Sequence, residues 1–245
     1  AYMKDILKRS YTDEPALERF TNGNAALDGF PVSGFWSIPF IGLSPKNGAP
    51  LFAVMDQVGG EMQKVSGSLL DYLVYSGDSE PRVSGGISTT VRYKRFTLNA
   101  MFNYQLGHYK RLNPFITSSN NGMLSIPGAD MNASTELLTR WQQPGDETHT
   151  RIPALSTRDE DVSQYLPDNS LSLGNYGAVY RYSLYNRSTE RVVSASHLRC
   201  NRISLNYQTR ISRITEINLG ITVTNPFIIK NRRLGDQDPE VMSMN

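Results

Sequence analysis

Apolar and polar residues alternate with a period of two from Ile87 to Leu106. Ile87, Thr89, Val91 and Tyr93 fall on one parity, with Ser88, Thr90 and Arg92 on the other. After a break at Lys94-Arg95-Phe96, Leu98, Ala100, Phe102, Tyr104 and Leu106 alternate with Thr97, Asn99, Met101, Asn103 and Gln105. Successive strand side chains point to opposite faces, so this pattern predicts a β-hairpin with one apolar and one polar face. Each arm is close to the roughly 9–11 residues of a membrane-crossing strand, and its apolar side ends in aromatics as a barrel girdle does. A soluble sheet packed on a core alternates in the same way, so the medium against the apolar face stays open.

The same pattern returns later. In His197–Tyr207, Leu198 and Cys200 lie on one parity and Ile203, Leu205 and Tyr207 on the other. One extra residue at Asn201-Arg202, a β-bulge, restores every later side chain to its face. After a turn over 209–215, Ile217, Leu219, Ile221 and Val223 alternate with Asn218, Gly220, Thr222 and Thr224. The remaining chain is less regular. Residues 1–20 read as short helical pieces, Pro31–Leu43 as extended and aromatic, and Ser44-Pro45-Lys46-Asn47-Gly48 as a turn returning into Leu51–Met55. Between the hairpins lie Asn113-Pro114, Asn120-Asn121-Gly122, Pro127-Gly128, Pro144-Gly145 and Pro167-Asp168-Asn169, all turn formers. A short helix is expected over Asn132–Trp141 and a strand over Tyr176–Leu184. The expected organisation is a loop with short helices (1–30), a loop region with extended pieces (31–84), a hairpin (85–106), a large loop (107–191), a second hairpin (192–229) and a polar tail (230–245). Tight turns at one end and long excursions at the other are what a large outer-membrane barrel shows, whereas a β-sandwich spaces its turns evenly.

Composition narrows this only in part. The chain has 245 residues, a formal net charge of +2 and a sequence pI near 8.6, so it lacks the basic field that nucleic acid requires. Hydrophobic residues make up 39% and mean hydropathy is −0.40, values shared by soluble domains and by barrels with polar lumens. No apolar run is long enough for a transmembrane helix. Residues 1–10 do not read as a signal peptide. The single cysteine, Cys200, rules out an intrachain disulfide and reads as a small hydrophobe on the apolar parity.

Catalytic machinery is scarce. His108, His149 and His197 are widely separated, without metal-protease spacing, and His197 at a strand start fits a pore wall or interface. No G-x-S-x-G elbow occurs. Asp159-Glu160-Asp161-Val162-Ser163 begins like a calcium loop but lacks the central Gly and closing Glu, so it reads as a solvated acidic loop. No cofactor, metal or enzymatic activity is expected. Trp36, Phe35, Tyr109, Trp141, Tyr165 and Tyr176 fall outside the two expected hairpins, as stacking surfaces for a polar ligand or as packing between loops.

Several blocks carry a family resemblance. Pro31-Val32 through Phe35-Trp36-Ser37, followed by 42–50 (GLSPKNGAP), is similar to a "YPVG…FSY…GLDPENGDP" block of SusC/RagA-type TonB-dependent outer-membrane transporters. The stretches 73–81 (LVYSGDSEP), 92–98 (RYKRFTL), 138–146 (LTRWQQPGD), 198–207 (LRCNRISLNY) and 235–241 (GDQDPEV) resemble further blocks of that family in its order. Cys200-Asn201 and the turn residue Arg95 depart from the family pattern. The resemblance implies an all-β fold: part of a large antiparallel transmembrane β-barrel of TonB-dependent receptor type, with long extracellular loops containing short helices. It implies import of oligosaccharide or peptide across the bacterial outer membrane, with a SusD-like surface lipoprotein as partner, TonB acting through an N-terminal portion not found here, and the plug and remaining strands supplied by the same transporter. On that basis Asn99, Asn103, Gln105, Asn218 and Thr222 would face the lumen. Tyr109, Asn113, Asn120 and Asn121 would be ligand candidates, joined by Trp36 and Trp141, for which packing is the stronger reading. The chain then reads as an internal piece of a longer polypeptide. The alternative is a soluble β-rich glycan-binding or surface adhesin module, whose apolar faces would pack on each other.

Overall fold

The structure, a computed structural model, describes residues 20–23, 29–53, 55–58, 61–64, 73–114, 117–118, 124–125, 134–155, 170–172, 178–212 and 215–241. Their strands are β1 (Gly34–Ser37), β2 (Phe40–Leu43), β3 (Pro50–Phe52), β4 (Met55–Val58), β5 (Glu61–Lys64), β6 (Val74–Asp78), β7 (Val83–Tyr93), β8 (Phe96–Leu106), β9 (Tyr109–Arg111), β10 (Thr117–Ser118), β11 (Leu124–Ser125), β12 (Ser170–Ser172), β13 (Ala178–Tyr180), β14 (Val192–Ser194), β15 (His197–Arg210) and β16 (Glu216–Lys230). The protein is predominantly β, with antiparallel sheets, and divides into two units. One comprises Ala1–Gly77, Arg111–Val192 and Ser243–Asn245, the other Asp78–Lys110 and Val193–Met242. Among the described residues no helix is long and apolar enough to cross a membrane.

The second unit is built on the two alternating ribbons, which join into one four-stranded antiparallel sheet of order β16-β15-β8-β7. Residue pairing puts Ile87 opposite Phe102 and Val91 opposite Leu98, then Leu98 opposite Leu205 and Leu205 opposite Ile221, so one parity is shared by all four strands. The register steps between Cys200 and Arg202, leaving Asn201 as the extra residue, where the alternation placed the bulge. Opposite it, on the edge strand, lie Asn225, at φ 50°, and Pro226. A proline is tolerated there because a bulge and an edge are the positions where a ladder donor is dispensable. Lys94-Arg95 closes the first hairpin with the positive φ (53°) at Lys94 rather than at Arg95. On the apolar face the Tyr104 ring lies over Gly85, where an added Cβ would meet the phenol oxygen at 2.7 Å.

Among the described residues of this unit, the apolar face carries no covering layer. Ile87, Leu219, Ile221 and Ile229 are 56%, 62%, 71% and 61% exposed, and Phe102 and Tyr104 are half-buried. Phe96 and Tyr207 meet at 4.8 Å near the tight turns, and Phe102 and Phe227 at 6.4 Å towards the other end. Eleven residues at about 3.4 Å each, tilted by about 40°, span close to 30 Å, the thickness of a bilayer's hydrocarbon core.

The first unit draws its core from segments that look irregular in sequence. Trp36 lies edge-on to Phe20 and Phe30 at 5.7 and 5.5 Å, and Phe40 packs against Phe52 and Tyr185. Arg111 is buried among them. Its guanidinium donates to the carbonyls of Ser188, Thr21 and Trp36 and to Ser37 Oγ at 3.0–3.2 Å, and stacks on Phe35. Burial and the neighbouring Arg187 and Arg191 pull its pKa down to about 9. Arg191, equally buried, donates to Glu136 at 2.5 Å and to the Asn113 carbonyl at 2.7 Å.

Two expectations change. Of the stretch expected as a strand over Tyr176–Leu184, the described residues are strand at β13 and then turn into an α-helix, Arg181–Asn186. Leu184 and Tyr185, adjacent in sequence, are both buried, which a helical turn allows and the alternating faces of a half-buried strand do not. The helix expected over Asn132–Trp141 is a 3₁₀ turn, Thr135–Thr139, capped by Ser134 Oγ accepting from the Glu136 amide. The helical pieces expected in residues 1–19, and the acidic loop 159–163, lie outside the described residues. The turn between β2 and β3 closes as read, with Ser44 N–H donating to the Ala49 carbonyl at 2.8 Å.

Gly48 in that turn holds φ 67° and faces Trp141 so closely that an added Cβ would sit 2.4 Å from the indole. Gly48→Ala therefore combines backbone strain with overpacking and is expected to cost about 1–3 kcal/mol locally. Hydrogen exchange at the Trp141 amide, which donates to the Ile152 carbonyl at 2.9 Å, reads that loss.

Candidate functional site

The second unit presents one polar surface, the face of the sheet opposite its apolar side, and register sets its contents. Asn99 pairs with Ser204 and Ser204 with Thr222; Gln208 pairs with Asn218, Asn103 with Arg199, and Gln105 with His197. The five residues assigned by sequence to a polar wall, Asn99, Asn103, Gln105, Asn218 and Thr222, thus share one face. Across its middle Thr90 Oγ1 donates to Asn99 Oδ1 at 2.9 Å, and Asn99 Nδ2 donates to Ser204 Oγ at 3.3 Å. This cross-strand ladder satisfies polar groups side to side. Met101 and Ile228 are the apolar members of the face.

At the end remote from the tight turns the tail folds back over this face. Asn231 Oδ1 caps a 3₁₀ turn, Arg232–Leu234, by accepting from the Arg233 amide, and Leu234 is buried. Glu240 Oε1 then accepts from His197 Nε2 at 3.0 Å and Arg199 Nε at 3.2 Å, with Asn103 Nδ2 at 3.4 Å. Arg199 also donates to Asp238 at 2.6 Å. Lys110, buried, donates to the carbonyls of Asp238 and Val241 at 3.0 and 2.5 Å, and Lys230 to that of Gln237 at 2.6 Å. His197 Nδ1 lies 2.9 Å from the Ala195 carbonyl. Both oxygens facing that ring are acceptors, so a neutral imidazole donates to only one of them. His108 stacks against it at 5.9 Å, buried, with no hydrogen-bond partner for its ring nitrogens among the described residues. Burial and His197 lower the His108 pKa, against an upward pull from Asp78.

The remaining candidates separate. Trp36 is fully buried in the aromatic core and Trp141 is packed on Gly48 with its Nε1 donating to Glu147 at 3.0 Å, so neither offers an open ring face. Tyr109, in the second unit, is 41% exposed; Asn113, in the first, is exposed, and its carbonyl serves Arg191. Asn120, Asn121, Tyr165 and Tyr176 lie outside the described residues. No group of His, Cys, Asp or Glu among the described residues could hold a metal ion. Sequence reading missed the docked tail. Its signal was available: acids at 238 and 240, two apart, facing bases at the strand ends, Lys110, His197, Arg199 and Lys230.

With this geometry in hand, comparison with known proteins bears on the fold. No protein-family model matches the sequence, and no curated protein does. Solved structures do. The RagAB peptide importer in its open-open state superposes with a TM-score of 0.52 at 20% identity, over 86% of this chain and 20% of that one. A second structure of the RagAB peptide transporter gives 0.52 and 20%, and the closed-closed state 0.51 and 20%, each over 84% of this chain and 20% of the other. The chain therefore shares a fold with part of the RagAB peptide importer, and spans about a fifth of the length of those structures.

Two outcomes are expected of the tail. Glu240→Gln removes the charge that three donors share, at a cost of about 1–2 kcal/mol given its partial exposure. Faster tryptic cleavage at Arg232 and Arg233 reports it. Partial burial alone would raise the Asp238 pKa, but the Glu240 amide and Arg199 outweigh it and hold the carboxyl below its usual range. A depressed carboxylate contributes stability above its unfolded value and loses it as pH falls through the folded one. The Asp238 contribution is thus constant at neutral pH and lost only in acid below about pH 4, which the same cleavage assay followed against pH checks.

Proposed function

We propose that this chain is part of a TonB-dependent outer-membrane nutrient importer of SusC-like type, moving oligosaccharides or peptides captured together with a SusD-like surface lipoprotein. The observation that carries the reading is the two-sidedness of the sheet: a broad apolar face of bilayer-spanning height, uncovered among the described residues, backed by a polar face tied together by hydrogen bonds. In water alone such a face would seek a covering layer, whereas hydrocarbon supplies one. The apolar side would meet outer-membrane lipid, and Asn99, Asn103, Gln105, Asn218 and Thr222 would look into the lumen. Sheet edges β7 and β16 would be closed by further strands of the same transporter, since only a closed barrel satisfies every backbone group in a bilayer. The plug and the TonB contact belong to that larger protein. Tyr109, Asn113, Asn120 and Asn121 are each proposed as candidates for contact with cargo or the lipoprotein. The role is transport and not catalysis.

Single cysteines in the full transporter test the orientation. Cys200, the one cysteine of these 245 residues, is fully buried, and any cysteines elsewhere in the full transporter are replaced first, so background labelling is low. Leu219→Cys and Ile221→Cys are expected to react with a lipid-phase reagent and resist an aqueous one, and Asn218→Cys and Thr222→Cys to do the reverse. Protection of Leu219→Cys and Ile221→Cys from both reagents would return the chain to a soluble β-rich binding module.

A further inference from the structure

The charges on the polar face of the sheet are unbalanced. By register this face carries Arg92 on β7, His197, Arg199, Arg202 and Arg210 on β15, and Lys230 on β16, with Glu216 as the sheet's one acidic residue there. Glu216 is taken by its neighbours across the turn: it accepts from Gln208 Nε2 and lies 4.0 Å from Arg210. Arg199, His197 and Lys230 are engaged by the tail. Arg92 and Arg202 are left, both exposed, with no acidic partner among the described residues.

The tail shows what this face accepts. Its Asp238-Pro239-Glu240 segment is seated on the far end, and the carboxylate of Glu240 is received by an asparagine of β8 and an arginine of the paired row of β15, Asn103 and Arg199. One strand pair further along, Arg202 stands beside Met101, followed by the uncharged ladder Thr90–Asn99–Ser204, and then by the Arg92 row. Arg92 and Arg202 are offset by four residue steps along the strands and by two strand spacings across them, which is about 17 Å. An extended chain covers that distance in about five residues. A guanidinium at each end, with hydroxyls and amides between, fits a polar cargo carrying carboxylates about that far apart.

We infer that the polar face is a carboxylate-recognising track, with Arg92 and Arg202 its open cations and the tail's own acids occupying its other end. This rests on the importer reading and narrows its cargo to acidic molecules. The cargo it fits is an acidic peptide, as the tail's own Asp238-Pro239-Glu240 segment is, and binding to the purified full-length transporter tests this. The probes are a hexapeptide with glutamates at its first and last positions, the same peptide with glutamines, a galacturonate oligomer and the matching galactose oligomer. The glutamate peptide is expected to bind roughly tenfold or more tightly than its glutamine counterpart at low salt, with the gap narrowing as salt is added. Arg92→Gln with Arg202→Gln should abolish that preference, and Arg202→Lys should retain most of it. Equal binding of the two peptides, a charge preference confined to the galacturonate pair, no binding by any probe, or a preference that survives the double glutamine variant overturns the assignment. The cysteine labelling at Leu219 and Ile221 stands apart from these outcomes, so loss of the charge preference is distinguishable from loss of the membrane reading.

Discussion

Parity is the constraint on which the sheet depends. A strand has two faces and a repeat of two, so one unmatched residue anywhere would carry every later apolar side chain to the wrong side. β15 meets this problem at its middle: Leu198 and Cys200 precede the slip, and Ile203, Leu205 and Tyr207 follow it. Letting Asn201 stand out of register keeps both halves on one face. The edge strand answers with its own irregularity at Asn225-Pro226, and the two meet across one ladder. Without the bulge the same residues would give a strand amphipathic in two opposite senses, which neither lipid nor a core could accept.

The first unit solves a different problem. Its segments carry little regular structure, so they cannot pair away their backbone groups as the long strands do, and a buried side chain does part of that work instead. Arg111 gathers carbonyls from Thr21, Trp36 and Ser188 around one guanidinium, joining three parts of the chain that are far apart in sequence. Leaving those carbonyls buried and unpaired would cost about 1–3 kcal/mol each. The aromatic cluster around Trp36 and the ion pair of Arg191 with Glu136 complete the same design.

What could be read from the residues follows from how local the information is. The two hairpins, their turns and the bulge were legible because alternation is written in neighbouring positions. The shared face of Asn99, Asn103, Gln105, Asn218 and Thr222 followed from it. The helix at Arg181–Asn186 was hidden because so short a segment scarcely establishes a period, and Tyr176–Leu184 mimics alternation over the same residues. The burial of Trp36 depends on rings as distant as Tyr75, and the reach of Arg111 on partners some 75 residues away or more, which no local pattern records. The docked tail is intermediate: the opposite charges were visible, but their meeting needed the turn that brings Asp238 and Glu240 back over Arg199.

The kink at Asn225-Pro226 has an outcome beyond parity. It makes the outer borders of the sheet unlike: β7 runs for eleven residues without a register shift or a positive φ, while β16 carries Asn225 at positive φ and lacks an amide hydrogen at Pro226. A second copy approaching side by side would offer a regular border to an irregular one and lose continuity of pairing at that proline. Ribbon-like stacking of identical copies through these two borders is therefore disfavoured, although each border by itself is an open template for pairing.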